Sequence, residues 1–173
     1  SLVPMRTEPS DRSEMCSQLL FGDHFTILER TDNWLKILTA YDEYEGWIDH
    51  KQFEEIGQAA FVALHDLHSI LGLSPNHLLT RTATNETLFL LAGSSIPHTL
   101  DNFFYLGGTR YKFEGQTTRP SKDRFSAEIT NTAMFYLNAP YLWGGRSVFG
   151  IDCSGFTQMV FRQFGVRLLR DAW

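Results

Sequence analysis

Short apolar runs separated by polar turns fill the first third of the chain. Five of them have the length and composition of strands: LVPMR, EMCSQLLF, HFTILER, NWLKILTA and YEGWID. Strands of about five residues that recur every eight to twelve residues or so are typical of a small β-barrel. We therefore predict a first barrel over residues 1–57.

The hydrophobic period changes after this barrel. Over residues 58–71 apolar positions recur at intervals of three and four, which predicts an amphipathic linker helix. His65 and His68 lie on it, but a histidine pair without cysteine or carboxylate companions is more often structural, so we predict no metal site. Strand patterning returns in HLLTRTAT, TLFLLAG, TLDNFFYL and TRYKFEG and predicts a second barrel over residues 72–115.

Residues 116–173 return to helical periodicity. One helix is predicted from about Asp123 to Leu137, where an Asn-Ala-Pro run ends it, and a second from Cys153 to about Phe164. Gly165 follows the second helix, as expected of a helix terminator. The two helices enclose a glycine-rich loop.

Composition narrows the classes of function. The net charge is −5 and no Lys or Arg cluster is present, which argues against a nucleic-acid partner. No apolar run approaches the roughly 18 residues that span a bilayer, so no membrane-spanning helix is predicted. Cys16 and Cys153 stand in different contexts and are predicted to be free thiols.

Cys153 is the candidate nucleophile. It stands in the run YLWGGRSVFGIDCSGF at a predicted helix start, where unpaired backbone N–H groups favour the thiolate. Gly150 and Gly155 allow a sharp loop, and the polar side chains of Asp152 and Ser154 suit a helix start. Trp143 can form one wall of a groove. The alternative is a small buried residue at the head of a core helix.

The run PYLWGGRSVFGIDCSGF resembles the signature of the NlpC-type cell-wall cysteine peptidases, a bacterial branch of the papain-like enzymes. By this resemblance Cys153 is the nucleophile and Tyr141 supplies a hydroxyl that helps to hold the reacting carbonyl. Arg170 and Asp171 match an arginine-aspartate pair of the subgroup of γ-D-glutamyl-diamino acid endopeptidases. That subgroup also carries bacterial SH3-like barrels ahead of the peptidase domain.

The first barrel is itself similar to bacterial SH3-like domains. The matching stretches are the LFG turn of residues 20–22, the W-x-K-I strand of residues 34–37 and the GWI strand of residues 46–48. The fold class implied is α+β, with two small SH3-like β-barrels followed by the N-terminal helical part of a papain-like cysteine peptidase domain over residues 116–173.

The resemblance also implies a substrate, a peptidoglycan stem peptide with a free N-terminal L-Ala. The bond cut lies between D-Glu, through its γ-carbonyl, and the diamino acid, and no cofactor or metal is implied. Asp171 is expected to meet the free amine, with Glu14 or Tyr44 of the first barrel reaching over the groove. Trp143 and Ser154 are expected to line the groove. The alternative for Glu14 and Tyr44 is that they are ordinary surface residues.

The chemistry further needs a histidine that takes and returns a proton. Papain-like order places it after the cysteine, whereas all six histidines precede Cys153: His24, His50, His65, His68, His77 and His98. We therefore expect a fragment of a longer cysteine peptidase, inactive alone, whose remaining C-terminal half supplies the base. The alternatives are a pseudoenzyme, a peptidoglycan-binding module without turnover, or an acyl transferase. The resemblance favours the cell envelope, with recycling of muropeptides in the cytoplasm as the alternative.

Overall fold

The structure is a computed structural model that describes residues 2–66, 69–71, 73–74, 77–97, 99 and 101–171, without the side chains of 63, 65–66 and 69–71. Its strands are β1 (Leu2–Arg6), β2 (Met15–Leu20), β3 (Phe25–Arg30), β4 (Trp34–Thr39), β5 (Glu45–Asp49), β6 (Ser69–Leu71), β7 (His77–Arg81), β8 (Glu86–Leu90), β9 (Ser95–Ile96), β10 (Phe103–Leu106), β11 (Thr109–Glu114), β12 (Thr117–Thr118), β13 (Arg146–Ser147) and β14 (Gly150–Ile151). Its helices are α1 (Gln58–Asp66), α2 (Phe125–Met134) and α3 (Cys153–Arg162), and a 3-10 helix, Lys122–Arg124, precedes α2. No helix among the described residues is long and apolar enough to cross a membrane.

The chain divides into two compact units. The first comprises Leu2–Leu19, Asp23–Phe53 and Pro120–Trp173, and the second comprises Leu20–Gly22 and Glu54–Arg119. Most of the predicted first barrel, residues 2–19 and 23–53, and residues 120–173 of the predicted peptidase segment therefore belong to one unit.

A five-stranded sheet with the order β2-β1-β5-β4-β3 forms the barrel part of the first unit. Side chains alternate along β4, so that Leu35 and Ile37 point into a core they share with Ile48 of β5. Met5 of β1 and Leu19 of β2 complete that core. All five strands predicted for the first barrel are confirmed.

The second unit holds a four-stranded antiparallel sheet, β10-β11-β7-β8, and a three-stranded sheet, β12-β6-β9. Its core is formed by aliphatic and aromatic side chains of five strands, namely Leu79, Leu90, Ile96, Phe104, Tyr111 and Phe113. Strands β6 and β12 lie just outside the predicted range of 72–115. The description of this region as a second SH3-like barrel stays a prediction, as do the bounds of the four predicted segments.

The linker helix predicted over residues 58–71 is too long. Helix α1 ends at Asp66, and Ser69–Leu71 is strand β6. Its backbone pairs with β9 on one side and β12 on the other, so the sheet takes the hydrogen bonds a helix would have used. The histidine pair on this segment, His65 and His68, falls outside the described side chains.

Helices α2 and α3 pack together through aromatic rings. The Phe125 ring lies 5.4 Å from that of Phe161 and 5.1 Å from that of Phe164 between centroids. Helix α3 begins at Cys153 as predicted. It ends in a Schellman arrangement, in which Gly165 N–H donates to Arg162 O and Val166 N–H donates to Phe161 O. Gly165 has a φ of +70°, which agrees with its predicted role as terminator.

Candidate active site

Cys153 is the first residue of α3, and its side chain is exposed. Asp152 is the N-cap, with extended backbone, and its Oδ1 accepts a hydrogen bond of 2.6 Å from Gly155 N–H. The remaining N–H groups of the first turn point toward the same end of the helix, where the helix dipole is positive. A thiol at this position is therefore accessible and lies at the positive end of the helix dipole.

The Asp152 carboxylate is held by a buried arginine. Arg170 Nη2 donates to Asp152 Oδ2 at 2.7 Å, and Arg170 Nη1 donates to Asp152 Oδ1 at 3.1 Å and to Ser154 Oγ at 2.6 Å. Arg170 Nε donates to Ser17 Oγ at 3.1 Å, so the guanidinium is also tied to strand β2. Ser154 is thus a partner of Arg170, and its predicted place in the substrate groove stays a prediction.

Two opposing effects set the pKa of Asp152. Burial would raise the pKa of its carboxyl, but the hydrogen bonds from Arg170, Gly155 and Gly144, together with the Arg170 charge, hold the pKa below its usual range. The carboxylate therefore stays charged at neutral pH and, through hydrogen bonds from Gly144 N–H and Gly155 N–H, joins the loop before Cys153 to the first turn of α3.

Gly144 shapes the loop before the nucleophile. Its φ is +77° and its N–H donates to Asp152 Oδ2 at 2.8 Å. A Cβ at this position would lie 2.5 Å from Met15 O of strand β2, so only glycine fits. The loop is thereby brought against the barrel part of the same unit.

Trp143 and Glu14 meet beside this loop. The indole Nε1 of Trp143 donates to Glu14 Oε1 at 2.6 Å. Both side chains are exposed, so each can also face a ligand. Glu14 thus contacts the cysteine loop, and the roles of Glu14 and Trp143 in substrate binding stay predictions.

Tyr44 and Asp171 form the second contact across the site. Burial, the neighbouring Cys16 and Asp171, and a hydrogen bond to the Asp171 carboxylate all raise the pKa of Tyr44, so its hydroxyl stays protonated. Burial also raises the pKa of the Cys16 thiol from 9.0 to about 11, with Arg170, Asp171 and Glu14 close enough to influence it. These charges and hydroxyls therefore share one neighbourhood, which we call the acidic group (Glu14, Tyr44 and Asp171).

Tyr141 lies on the exposed side of the cysteine loop. Its side chain is 68% exposed, and its backbone forms an isolated parallel bridge with Ile151. Within the part of the chain that the structure describes, its hydroxyl makes no hydrogen bond. The predicted part of this hydroxyl in holding the carbonyl stays a prediction.

The described residues give Cys153 no histidine partner. Its carbonyl accepts a hydrogen bond of 2.9 Å from Thr157 Oγ1, and no hydrogen bond joins its thiol to an imidazole of the described histidines. His50, for example, contacts Asn33 O at 3.0 Å through Nδ1. The side chain of His98, like those of His65 and His68, lies outside the described residues.

A buried charge cluster behind the site was not predicted. Asp23 accepts hydrogen bonds from Arg146 Nη1 at 3.2 Å and from Arg162 Nη2 at 2.6 Å, and all three side chains are at most 4% exposed. Burial opposes the charge of Arg162, but the Asp23 carboxylate outweighs it and raises the pKa of Arg162. More than 120 residues separate Asp23 from either arginine, so no local sequence signal joins them.

Comparison with known proteins gives two family matches. Residues 138–173 match the family described as NlpC/P60, and residues 5–53 match the bacterial dipeptidyl-peptidase Sh3 domain. We call residues 138–173, which match this family, the NlpC/P60 segment. The family resemblance inferred from the cysteine motif is therefore confirmed, and the NlpC/P60 segment follows an SH3-like domain in a chain of mixed, sheet-rich fold.

Relatives are similar over nearly the whole chain. A gamma-D-glutamyl-L-lysine dipeptidyl-peptidase of Bacillus cereus is 28% identical over 94% of this chain and 54% of its own length, and one of Bacillus subtilis is 27% identical over 90% and 55%. Dipeptidyl-peptidase 6 of Lysinibacillus sphaericus is 29% identical over 99% of this chain and 70% of its own length. The chain thus spans about half the length of the first two relatives.

A solved structure has the same fold. The crystal structure of an NlpC/P60 family protein from Bacillus cereus superimposes with a TM-score of 0.80, at 20% identity, over 98% of this chain and 72% of that one. The SH3-like domain and the NlpC/P60 segment therefore occur in a known fold.

Proposed function

We propose that this site belongs to a cysteine peptidase that hydrolyses the γ-D-glutamyl–diamino acid bond of peptidoglycan stem peptides with a free N-terminal L-Ala. The observation that carries the proposal is the exposed thiol of Cys153 at a helix start, with the acidic group of the same unit beside it. The names of the relatives, gamma-D-glutamyl-L-lysine dipeptidyl-peptidase and dipeptidyl-peptidase 6, support the same activity.

The reaction would proceed through a thioester. The Cys153 thiolate attacks the γ-carbonyl carbon of D-Glu, a C–S bond forms, and the negative charge moves to the carbonyl oxygen. The Cys153 N–H and the Tyr141 hydroxyl stabilise that oxyanion. The C–N bond then breaks, the diamino acid leaves as an amine after receiving a proton, and water hydrolyses the thioester to restore the thiol.

The acidic group explains why the substrate would need a free amine. Glu14 and Asp171 bring two carboxylates to the site, whereas the nearby cation, Arg170, is already paired with Asp152. An ammonium group gains charge-assisted hydrogen bonds from such carboxylates, and an acylated nitrogen does not. We therefore expect cleavage of peptides that have already been trimmed from the wall.

The base is proposed to be a histidine of the remaining C-terminal half of the peptidase domain. Phe149 and Leu169 of the NlpC/P60 segment are 68% and 67% exposed, and Leu137, directly before the segment, is 60% exposed. This half would cover these apolar side chains. The greater length of the Bacillus relatives supports this expectation.

The test uses the full-length protein and two peptides, L-Ala-γ-D-Glu-L-Lys and its diaminopimelate counterpart, with release of the diamino acid as the readout. Cys153→Ala is expected to abolish release, and Cys16→Ala, the matched control, is expected to retain it. N-acetylation of L-Ala is expected to raise KM, and Asp171→Asn is expected to do the same for the free peptide.

Each other outcome selects a different function. Retained cleavage in Cys153→Ala overturns the thiol mechanism. Peptide binding without release in the full-length wild type identifies a binding module or pseudoenzyme, and transfer of L-Ala-γ-D-Glu to an added amine identifies an acyl transferase.

A further inference from the structure

Asp23 connects the two elements between which the nucleophile stands. Arg146 belongs to strand β13, whose partner β14 ends at Ile151, directly before Asp152 and Cys153. Arg162 is the last residue of α3, the helix that Cys153 begins. One buried carboxylate therefore holds both the strand pair that leads to the thiol and the helix that carries it.

Other contacts align the same helix against the barrel. One turn before Arg162, Gln158 Nε2 donates to Asp42 Oδ2 at 2.7 Å, and the Arg162 guanidinium lies 4.5 Å from the centroid of the Tyr41 ring. Tyr41 and Asp42 stand in the turn between β4 and β5, which also contains Tyr44 of the acidic group. The direction of α3 is thus set by the part of the barrel that carries Tyr44.

Strand β13 is fixed in a similar way. Arg146 N–H donates to Gln18 Oε1 at 2.9 Å, and Arg146 Nη1 donates to Gln18 O at 2.8 Å as well as to Asp23. Asp23 follows strand β2, which carries Gln18, by only a short turn. The carboxylate therefore sits where the barrel, β13 and α3 meet.

We propose that Asp23 is a positioning residue that fixes the Cys153 thiol relative to Glu14 and Tyr44, the two members of the acidic group that belong to the barrel. The inference rests on the proposed function, in which the amine end of the peptide is held by the acidic group while Cys153 attacks the γ-carbonyl. The Asp23 side chain is buried and acts through Arg146 and Arg162. Arg162 lies about 13 Å along α3 from Cys153 by helix rise.

Loss of the Asp23 carboxylate is expected to slow the reaction while peptide binding is largely kept. Without Asp23, two buried guanidinium groups lose their shared counter-charge, and β13 and α3 relax toward new partners or water. The amine end of the peptide still finds the acidic group, but the thiol no longer stands at the attacking distance. A misplacement of about 1 Å can cost about 100-fold in rate, so kcat falls far more than KM rises.

The kinetic test compares Asp23→Asn with Ile37→Val in the full-length protein. Ile37 is fully buried in the apolar core of the barrel, so its truncation lowers stability without removing a member of the charge cluster. At a temperature where both variants are folded, Asp23→Asn is expected to lower kcat at least 10-fold with KM changed less than 3-fold. Ile37→Val is expected to keep kcat within 2-fold.

A second readout does not depend on activity. Hydrogen exchange of the Gly155 and Phe156 amides, both bonded to Asp152, reports on the first turn of α3. The full-length Asp23→Asn protein is expected to lose about 10-fold protection there, and Ile37→Val is not. If Asp23→Asn does not fold, Arg162→Lys, which keeps the charge but loses the guanidinium geometry, takes its place with the same expectations.

Two results would overturn the positioning role. One is wild-type kcat together with unchanged protection of Gly155 and Phe156 in the cluster variant. The other is an equal loss of kcat in Ile37→Val, which would reduce Asp23 to a contribution to stability. If the wild type cleaves no peptide, the proposed function fails, and the exchange measurement alone decides whether Asp23 orders the nucleophile turn.

Discussion

Replacement of Asp152 by asparagine tests how the nucleophile loop is held. Asparagine keeps a side-chain oxygen that can cap α3, so the variant mainly removes the charge that pairs with Arg170. The pair is bidentate, at 2.7 and 3.1 Å, and its side chains are 1% and 7% exposed. Removal of one partner from such a buried pair leaves the other charge uncompensated, and we expect a loss of about 3–5 kcal/mol in the free energy of unfolding.

The assay is urea unfolding followed by tryptophan fluorescence. Trp34, Trp47 and Trp143 all belong to the first compact unit, so the signal reports on the unit that contains Asp152. The matched control is Glu45→Gln, which breaks an ion pair of 2.8 Å whose side chains are 34% and 52% exposed. That pair lies in solvent, and its loss should cost no more than about 1 kcal/mol.

The pH dependence of the free energy of unfolding gives a second test of the Asp152–Arg170 pair. Because the folded-state pKa of Asp152 is lowered, its stabilising effect is complete above the unfolded-state value of 3.8 and is lost as pH falls through the folded-state pKa. The difference between wild type and Asp152→Asn should therefore be constant near neutral pH and shrink below 3.8. A loss no larger than that of Glu45→Gln, or a difference unchanged in acid, would refute the account of this pair.

Two further predictions concern the same unit. Gly144→Ala should lower the free energy of unfolding by at least about 1 kcal/mol more than Gly165→Ala. Both glycines have positive φ, but a Cβ at Gly144 would clash with Met15 O at 2.5 Å, whereas a Cβ at Gly165 would come no closer than 3.3 Å to Pro120. Equal urea midpoints would contradict this. Iodoacetamide at pH 8 should alkylate the exposed Cys153 well before Cys16, as followed by peptide mass spectrometry. Labelling of Cys16 should accelerate only as the pH approaches its pKa of about 11. Labelling of Cys16 before Cys153 would disprove the assignment of Cys153 as the reactive thiol.

The start of the candidate site was predictable because its signals are local. An aspartate before a cysteine, with Gly155 after it, predicts a capped helix start, and α3 begins there. Gly165 marks the end of the same helix for an equally local reason. The strands of the first barrel were predictable from short apolar runs separated by polar turns. In β4 and β5 the more and less buried side chains also alternate.

The contacts that organise the site could not be predicted in this way. Arg170 was associated with its neighbour Asp171, whereas its carboxylate partner is Asp152, 18 residues earlier. Asp23 and its two arginines look like ordinary surface charges in sequence, because only the fold brings them together and buries them. Residues 69–71 were assigned to a helix because apolar spacing alone does not separate a short strand from a helical turn.

The central claim is that Cys153 forms the covalent bond to the substrate. The most direct measurement is mass spectrometry of the full-length protein, quenched in acid during turnover of L-Ala-γ-D-Glu-L-Lys. We predict an L-Ala-γ-D-Glu thioester on the peptide that contains Cys153, none on the peptide that contains Cys16, and no adduct in Cys153→Ala. Turnover that continues in Cys153→Ala, with no thioester at any time, would contradict the account.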